Sequence, residues 1–189
     1  RALEEGVRNS GDTLNYTEVV SGGLQDSCEI YHTLRVPRGG EYTLVLADGT
    51  TVYLNAESEL RFPKQFRGKK RKVYLTGEGY FDVQRNEKQP FIVEAQQVAI
   101  RVLGTSFGVR AYTREVNVLT TLVQGRVNVE ADGQQVELNP GQQADFNREN
   151  DRLTVAEVDV EQYVGWKDGR LVFDNKPLEF ILEELGRWY

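Results

Sequence analysis

Lys72-Val73-Tyr74-Leu75 and Tyr80-Phe81-Asp82-Val83, parted by Thr76-Gly77-Glu78-Gly79, decide the fold. Each run is short, rich in β-branched and aromatic residues, and bounded by glycine. That is the pattern of a strand. Similar runs lie to either side: Tyr42–Leu46, Phe91–Val93, Val98–Leu103, Val116–Leu119 and Val127–Val129. They recur at roughly 8–12 residues. Asp48-Gly49 and Asp132-Gly133 each sit between two runs and suit tight two-residue turns. Nothing from Tyr42 to Val158 sustains helical periodicity, so the region reads as all-β with many short strands.

The sequence also echoes itself. Ala47–Asn55 and Ala131–Asn139 agree at six of nine positions, and Gly79–Val83 resembles Gly125–Val129. Repeated strand-turn-strand units leave two architectures open. One is a solenoid-like stack of short strands; the other is a two-sheet wrap such as a sandwich or barrel.

The flanks differ in character. Residues 1–34 are polar and lack a hydrophobic period, so they read as a linker or leading arm. Two short modification motifs fall there. Asn15-Tyr16-Thr17 fits the N-glycosylation pattern, and Asp12-Thr13-Leu14 resembles an O-glycosylation acceptor of some Gram-negative envelope proteins. Residues 35–165 form the β-domain. From 166 to 189 the pattern changes again: a turn at Trp166–Gly169, a short strand Leu171–Phe173, then Pro177 opening a helix with Asp174 and Asn175 available as caps. Leu178, Ile181, Leu182, Leu185, Trp188 and Tyr189 form an apolar stripe, with Glu179, Glu183, Glu184 and Arg187 on the other face. Such a stripe wants a partner surface. The expectation is a second, α/β domain that begins here and is cut short.

Composition excludes several kinds of chemistry. Among 189 residues there are 29 acidic and 23 basic side chains, a formal charge of −6, which argues against nucleic acid as the main partner. Cys28 and His32 are the only residues of their types, too few for a Cys/His zinc site or a disulfide framework. No cofactor motif, metal ligand set or catalytic group emerges. Glu78 and Asp82 share a strand face about 13 Å apart, too far for a glycosidase pair. Pro140–Asn147 superficially resembles a cupin motif without its histidines. Gly104–Gly108 is glycine-rich but opens no helix, so it reads as a tight turn and not a phosphate cradle. Lys64–Lys72 carries six cations in nine positions: a solvated loop, or a contact for an acidic glycan, lipid headgroup or protein. Methionine is missing even at position 1, so the chain is expected to be a fragment.

From Tyr31 onward the sequence resembles the FecR family of anti-sigma regulators in its Bacteroidetes form. The residues that carry this are Val36–Tyr42, Leu46–Ser58, Arg71–Val83, Pro90–Val93, Val102–Phe107 and Leu138–Ala144. Residues Leu171–Tyr189 look like the opening of the small α/β domain that follows in these proteins, one similar to the secretin/TonB short N-terminal domain. The resemblance implies the periplasmic region of a single-pass inner-membrane protein that is not an enzyme. A TonB-dependent outer-membrane transporter would supply the signal. An extracytoplasmic-function sigma factor would receive it through an upstream cytoplasmic segment, across the inner membrane. The transporter contact is expected near Leu171–Phe173 or the Leu178–Trp188 helix. The alternative is a periplasmic carbohydrate-binding module using exposed Tyr and Trp. A solenoid lyase with a base from residues 64–72 is the third reading.

Overall fold

The computed structural model describes residues 8–10, 13–17, 29–174 and 176–189. Its strands are, in chain order, β1 (Arg8–Ser10), β2 (Thr13–Asn15), β3 (Tyr31–Arg35), β4 (Tyr42–Val45) and β5 (Thr51–Leu54). Next come β6 (Glu59–Pro63), β7 (Arg71–Asp82), β8 (Phe91–Ala95), β9 (Val98–Val102) and β10 (Ser106–Ala111). β11 (Asn117–Gln124), β12 (Val127–Ala131), β13 (Gln134–Leu138), β14 (Gln142–Asn147) and β15 (Arg152–Glu157) complete the set. Helix α1 (Glu161–Val164), a 3-10 turn (Gly165–Asp168) and helix α2 (Leu178–Trp188) follow.

β7 belongs to two sheets. Its first half pairs with β6 and, in parallel, with β8. Its second half pairs with β5 and β10. The first sheet therefore runs β1-β2-β4-β5-β7-β10-β11-β14-β15, and the second runs β3-β6-β7-β8-β9-β12-β13. Their inner faces enclose one apolar core that includes Leu44, Leu60, Phe81, Ile100 and Phe107, none of them exposed. Phe81 and Phe107 stack at 5.3 Å between ring centres. The molecule is all-β, as the alternating runs require, and it is the two-sheet wrap. Apart from β2–β4 and β7–β8, the described pairings are antiparallel, unlike the stacked coils of a parallel solenoid. The sequence echo has a simpler cause: one Asp-Gly hairpin lies on each sheet, β4–β5 on the first and β12–β13 on the second.

Lys72–Leu75 and Tyr80–Asp82 belong to one continuous strand, β7. The glycines between them mark the change of sheet and not a break. Gly77 has φ +96°, and a Cβ there would sit 2.4 Å from Ser58 Oγ and 2.7 Å from Ser58 Cα. The Glu78 N–H donates to that same Ser58 hydroxyl at 2.8 Å. At the strand's start, the Arg71 side chain is 1 % exposed and pairs with Asp48 at 2.6 Å. It also donates to the carbonyls of Gln84 and Gln89, both at 2.8 Å. Arg71 thus ties the β4–β5 and β7–β8 loops together at one end of the wrap.

Other expectations need correcting. Ser106–Gly108 opens strand β10 and is not a tight turn. Leu171–Phe173 is not a strand, because no neighbouring strand pairs with it among the described residues and an extended segment needs a ladder to be one. The Trp166–Gly169 turn is helical, and α1 before it carries too short a period to be read from sequence. Within residues 1–34, β2 runs parallel to β4, and β3 pairs with β6. The Asn15-Tyr16-Thr17 motif folds on itself, Thr17 donating from its N–H and hydroxyl to Asn15 Oδ1. Asp12, Cys28 and Asn175 lie outside the described residues.

Replacing Gly77 with alanine tests the sheet change. It imposes a positive φ on a Cβ and drives that carbon into Ser58, so a loss of about 2–4 kcal/mol is expected. Urea denaturation measures it. A loss below about 1 kcal/mol would show that β7 can cross between sheets without this glycine.

Candidate functional site

Alternation along β7 sends Phe81 into the core and Glu78, Tyr80 and Asp82 to the outer face of the first sheet. That face is covered. Tyr80, Val164 and Trp166 form a second apolar cluster, joined by half-buried Tyr53, Leu171 and Trp188. Gly108 makes room for it: a Cβ there would lie 2.9 Å from Val164.

Beside this cluster α2 docks on the sheet through charge. Arg110, on β10, is the centre. Its guanidinium donates two bonds to Glu115, at 2.6 and 2.8 Å. It donates two more to Glu184 of α2, at 2.6 and 3.0 Å. Glu78 lies 3.6 Å away. Arg187, one turn beyond Glu184 on α2, pairs with Glu184 and reaches Glu115 at 3.0 Å and Glu57 at 3.8 Å. Both guanidiniums face the Tyr112 ring, Arg187 at 4.2 Å and Arg110 at 5.2 Å. The Tyr112 hydroxyl donates to Ala56 O, and the Gly39 N–H donates to Arg187 O. Glu184 is 5 % exposed.

The helix is therefore turned relative to its sequence pattern. Of its charged face Glu184 is buried and Arg187 half-buried while Glu179 and Glu183 are exposed, and of its stripe Trp188 packs toward the sheet while Leu178 and Leu182 are 69 % and 59 % exposed. Periodicity shows which residues share a face; it does not show which face docks. Here Arg110 and Arg187 are shared among Glu57, Glu78, Glu115 and Glu184, and these pairs offset the desolvation of burying them. Leu178, Leu182 and Tyr189 of the apolar stripe are left exposed.

These contacts set the ionisation of the site. Burial pushes the Glu78 carboxyl up to about 7; Arg110 and the Asn55 amide pull it back, and Glu184 and Glu115 push it up. The Arg110 guanidinium is held more firmly protonated than usual: burial works against its charge, but Glu78, Glu184 and Glu115 outweigh it. A cavity of about 390 Å³ adjoins the cluster, walled by Arg110, Asp145, Tyr163, Phe173 and Phe180.

The other residues singled out from sequence fall elsewhere. Asp82 accepts a bond from Ser106, and Asp48 belongs to the Arg71 clamp. His32 lies against Tyr16 and Phe62. Pro140–Asn147 is a turn leading into β14. Trp166 is 6 % exposed and Trp188 half-buried, so neither tryptophan offers the carbohydrate-binding reading an open ring, whereas Tyr189 is exposed. Among the described residues no group of three His, Cys, Asp or Glu is placed to hold a metal ion, and no helix is long and apolar enough to cross a membrane.

The FecR protein family matches residues 32–128, just over half of the chain. The chain belongs to the FecR family. Two crystal structures of a protein from Parabacteroides distasonis, named provisionally as an anti-sigma factor, share the fold of this FecR-family chain. One, at 2.50 Å resolution, is 32% identical with a TM-score of 0.80 and covers 85% of this chain and 75% of its own. The other, at 1.65 Å, gives the same identity and TM-score over 84% and 74%. No curated protein matches. The matched segment contains Glu78 and Arg110 but not Glu184 or Arg187.

Two substitutions probe the cluster. Arg110→Met leaves three carboxylates facing one another, so a loss of about 3–5 kcal/mol is expected. In a Trp166→Phe background, the emission of Trp188 should report α2 leaving the sheet at lower urea than the main unfolding step. A single coincident transition would show that the helix does not depend on Arg110. Glu78→Gln keeps a hydrogen-bonding partner for Asn55 and removes the titration. A carboxyl raised from its ordinary 4.5 to about 7 stabilises the fold fully below 4.5, and that contribution is lost as pH rises through 7. The unsubstituted protein should therefore lose stability relative to Glu78→Gln between pH 5 and pH 8. Parallel denaturation midpoints over that range would refute the raised carboxyl.

Proposed function

We propose that this chain is the sensor region of an anti-sigma factor, positioned in the periplasm. It relays a signal from a TonB-dependent outer-membrane transporter to an extracytoplasmic-function sigma factor held across the inner membrane. The observation that carries the reading is family membership, joined to the two anti-sigma structures that are 32% identical over most of the chain.

The geometry supports a relay. Arg110 on β10 and Glu184 on α2 are 74 residues apart in sequence and share two hydrogen bonds. A partner that turns α2 must strain that cluster, and through β10 it strains β7, which is common to both sheets. Recognition then proceeds by docking, and Leu178 and Leu182 lie on the helix face open to a partner. The tryptophans on which the carbohydrate-binding alternative draws are covered.

The test is affinity capture from envelope extract with the full-length protein as bait, followed by mass spectrometry. Recovery of a TonB-dependent transporter and a sigma factor is the expected result. A Leu182→Asp bait should lose the transporter and keep the sigma factor. Absence of both partners from the unmodified bait would sink the proposal.

A further inference from the structure

The outer face of the second sheet carries a groove of about 1070 Å³, at the upper end of the usual size for binding pockets. It lies on the opposite sheet from α2, and the function proposed above does not use it. Pairing registers fix how its side chains are arrayed. Lys72, Ile92, Arg101, Asn128 and Glu137 form one cross-strand row over β7, β8, β9, β12 and β13. Tyr74, Glu94, Ala99, Glu130 and Gln135 form the next. Successive rows are about 6.8 Å apart, two residues along a strand.

The rows differ in charge. Arg101 occupies the middle of the first row, and Lys70, Arg85 and Arg126 line the groove beyond it. Glu94 and Glu130 flank Ala99 in the second row, with Asp132 further on. The short side chain of Ala99 leaves the depression between longer neighbours. Several ion pairs are made within the face: Lys72 with Glu94 at 2.7 Å, Arg126 with Glu137 at 3.4 Å, Arg85 with Glu87 at 2.6 Å. Arg101, Lys70 and Glu130 make none among the described residues, and Arg101 and Glu130 point outward and are exposed. Leu103, the residue that follows β9, lines the groove and is 45 % exposed.

The face therefore presents three steps along β9 and its exit: apolar at Leu103, cationic at Arg101, anionic around Ala99. An extended polypeptide repeats side chains on one face every two residues at the same spacing of about 6.8 Å. We propose that this groove docks an extended protein segment of the pattern apolar–x–acidic–x–basic, lying along β9. Its acidic residue faces Arg101 and Lys72, its basic residue faces Glu130 and Glu94, and its apolar residue covers Leu103. Charge selects this occupant over others. A polyanion or an anionic membrane would meet Glu94, Glu130, Asp132 and Glu137 among the cations. A sugar chain would find no open ring to stack on, because the aromatic ring of these rows, Tyr74, is capped by Arg61 at 5.3 Å and Lys72 at 5.9 Å.

Fluorescence anisotropy with short labelled peptides tests this on the chain as it stands. The probes are Ser-Leu-Ser-Glu-Ser-Lys-Ser, its reversed sequence, and versions of both with Glu and Lys exchanged. Oligogalacturonate and phosphatidylglycerol vesicles serve as competing probes. One direction of the matched peptide should bind at least tenfold more tightly than its exchanged version. Arg101→Glu should weaken it about tenfold, and Arg101→Glu with Glu130→Lys should reverse the preference. Both side chains are exposed, and unchanged urea midpoints confirm folding. Equal binding of matched and exchanged peptides overturns the proposal, as does no binding at millimolar concentration. Tighter binding of oligogalacturonate or vesicles, lost on Arg101→Glu, overturns it in favour of an acidic glycan or a membrane.

Discussion

One strand holds the molecule together. β7 gives its first six residues to one sheet and its last six to the other, so the two sheets are parts of a single hydrogen-bonded surface. The crossing falls on Gly77, where backbone conformation and the proximity of Ser58 both exclude a side chain. The core depends on this placement. Phe81 reaches Phe107 and Phe91 because β7 turns where it does. The same turn presents Glu78 and Tyr80 to the outside of the first sheet, where the helical segments dock.

That docking inverts the usual division of labour. An amphipathic helix ordinarily buries its apolar face, gaining about 25 cal/mol for each Å² removed from water. Here α2 buries Glu184 and Arg187. Ion pairs in a low-dielectric setting are specific in geometry but gain little net energy against a well-packed apolar contact. The helix is thus held in one orientation by two hydrogen bonds from Arg110 to Glu184, with Trp188 packed beside them. Its free stripe stays available, and anything that binds there also bears on the charged cluster beneath.

The strands with strong β-branched and aromatic character were legible in the sequence. Tyr42–Val45, Phe91–Ala95 and Val98–Val102 lie where their runs place them. The polar strands were not. Gln142–Asn147 and Arg152–Glu157 carry few apolar residues, and β10 is masked by its glycine, Gly108, which admits Val164. The site was the least legible part. Glu78, Arg110, Glu115 and Glu184 are scattered over more than a hundred residues, and nothing in local spacing links them. The apolar stripe on α2 named the docked face only in part: Trp188 packs on the sheet, but Leu178 and Leu182 are left open. The basic stretch at 64–72 did signal something, but only the register of the second sheet brings Lys72 into line with Arg101.

The attachment of the outermost elements has a mechanical meaning. β2 joins the first sheet through a three-residue parallel ladder with β4, and α2 sits on the same sheet through Arg110. The second sheet receives neither. Tension applied between these two points would travel through β4, β5, β7 and β10 and bypass β8, β9, β12 and β13. The shortest link on that path is the β2–β4 ladder, so a pull would peel the leading strands away first. The remote sheet, with its charged rows, would be carried along unstrained.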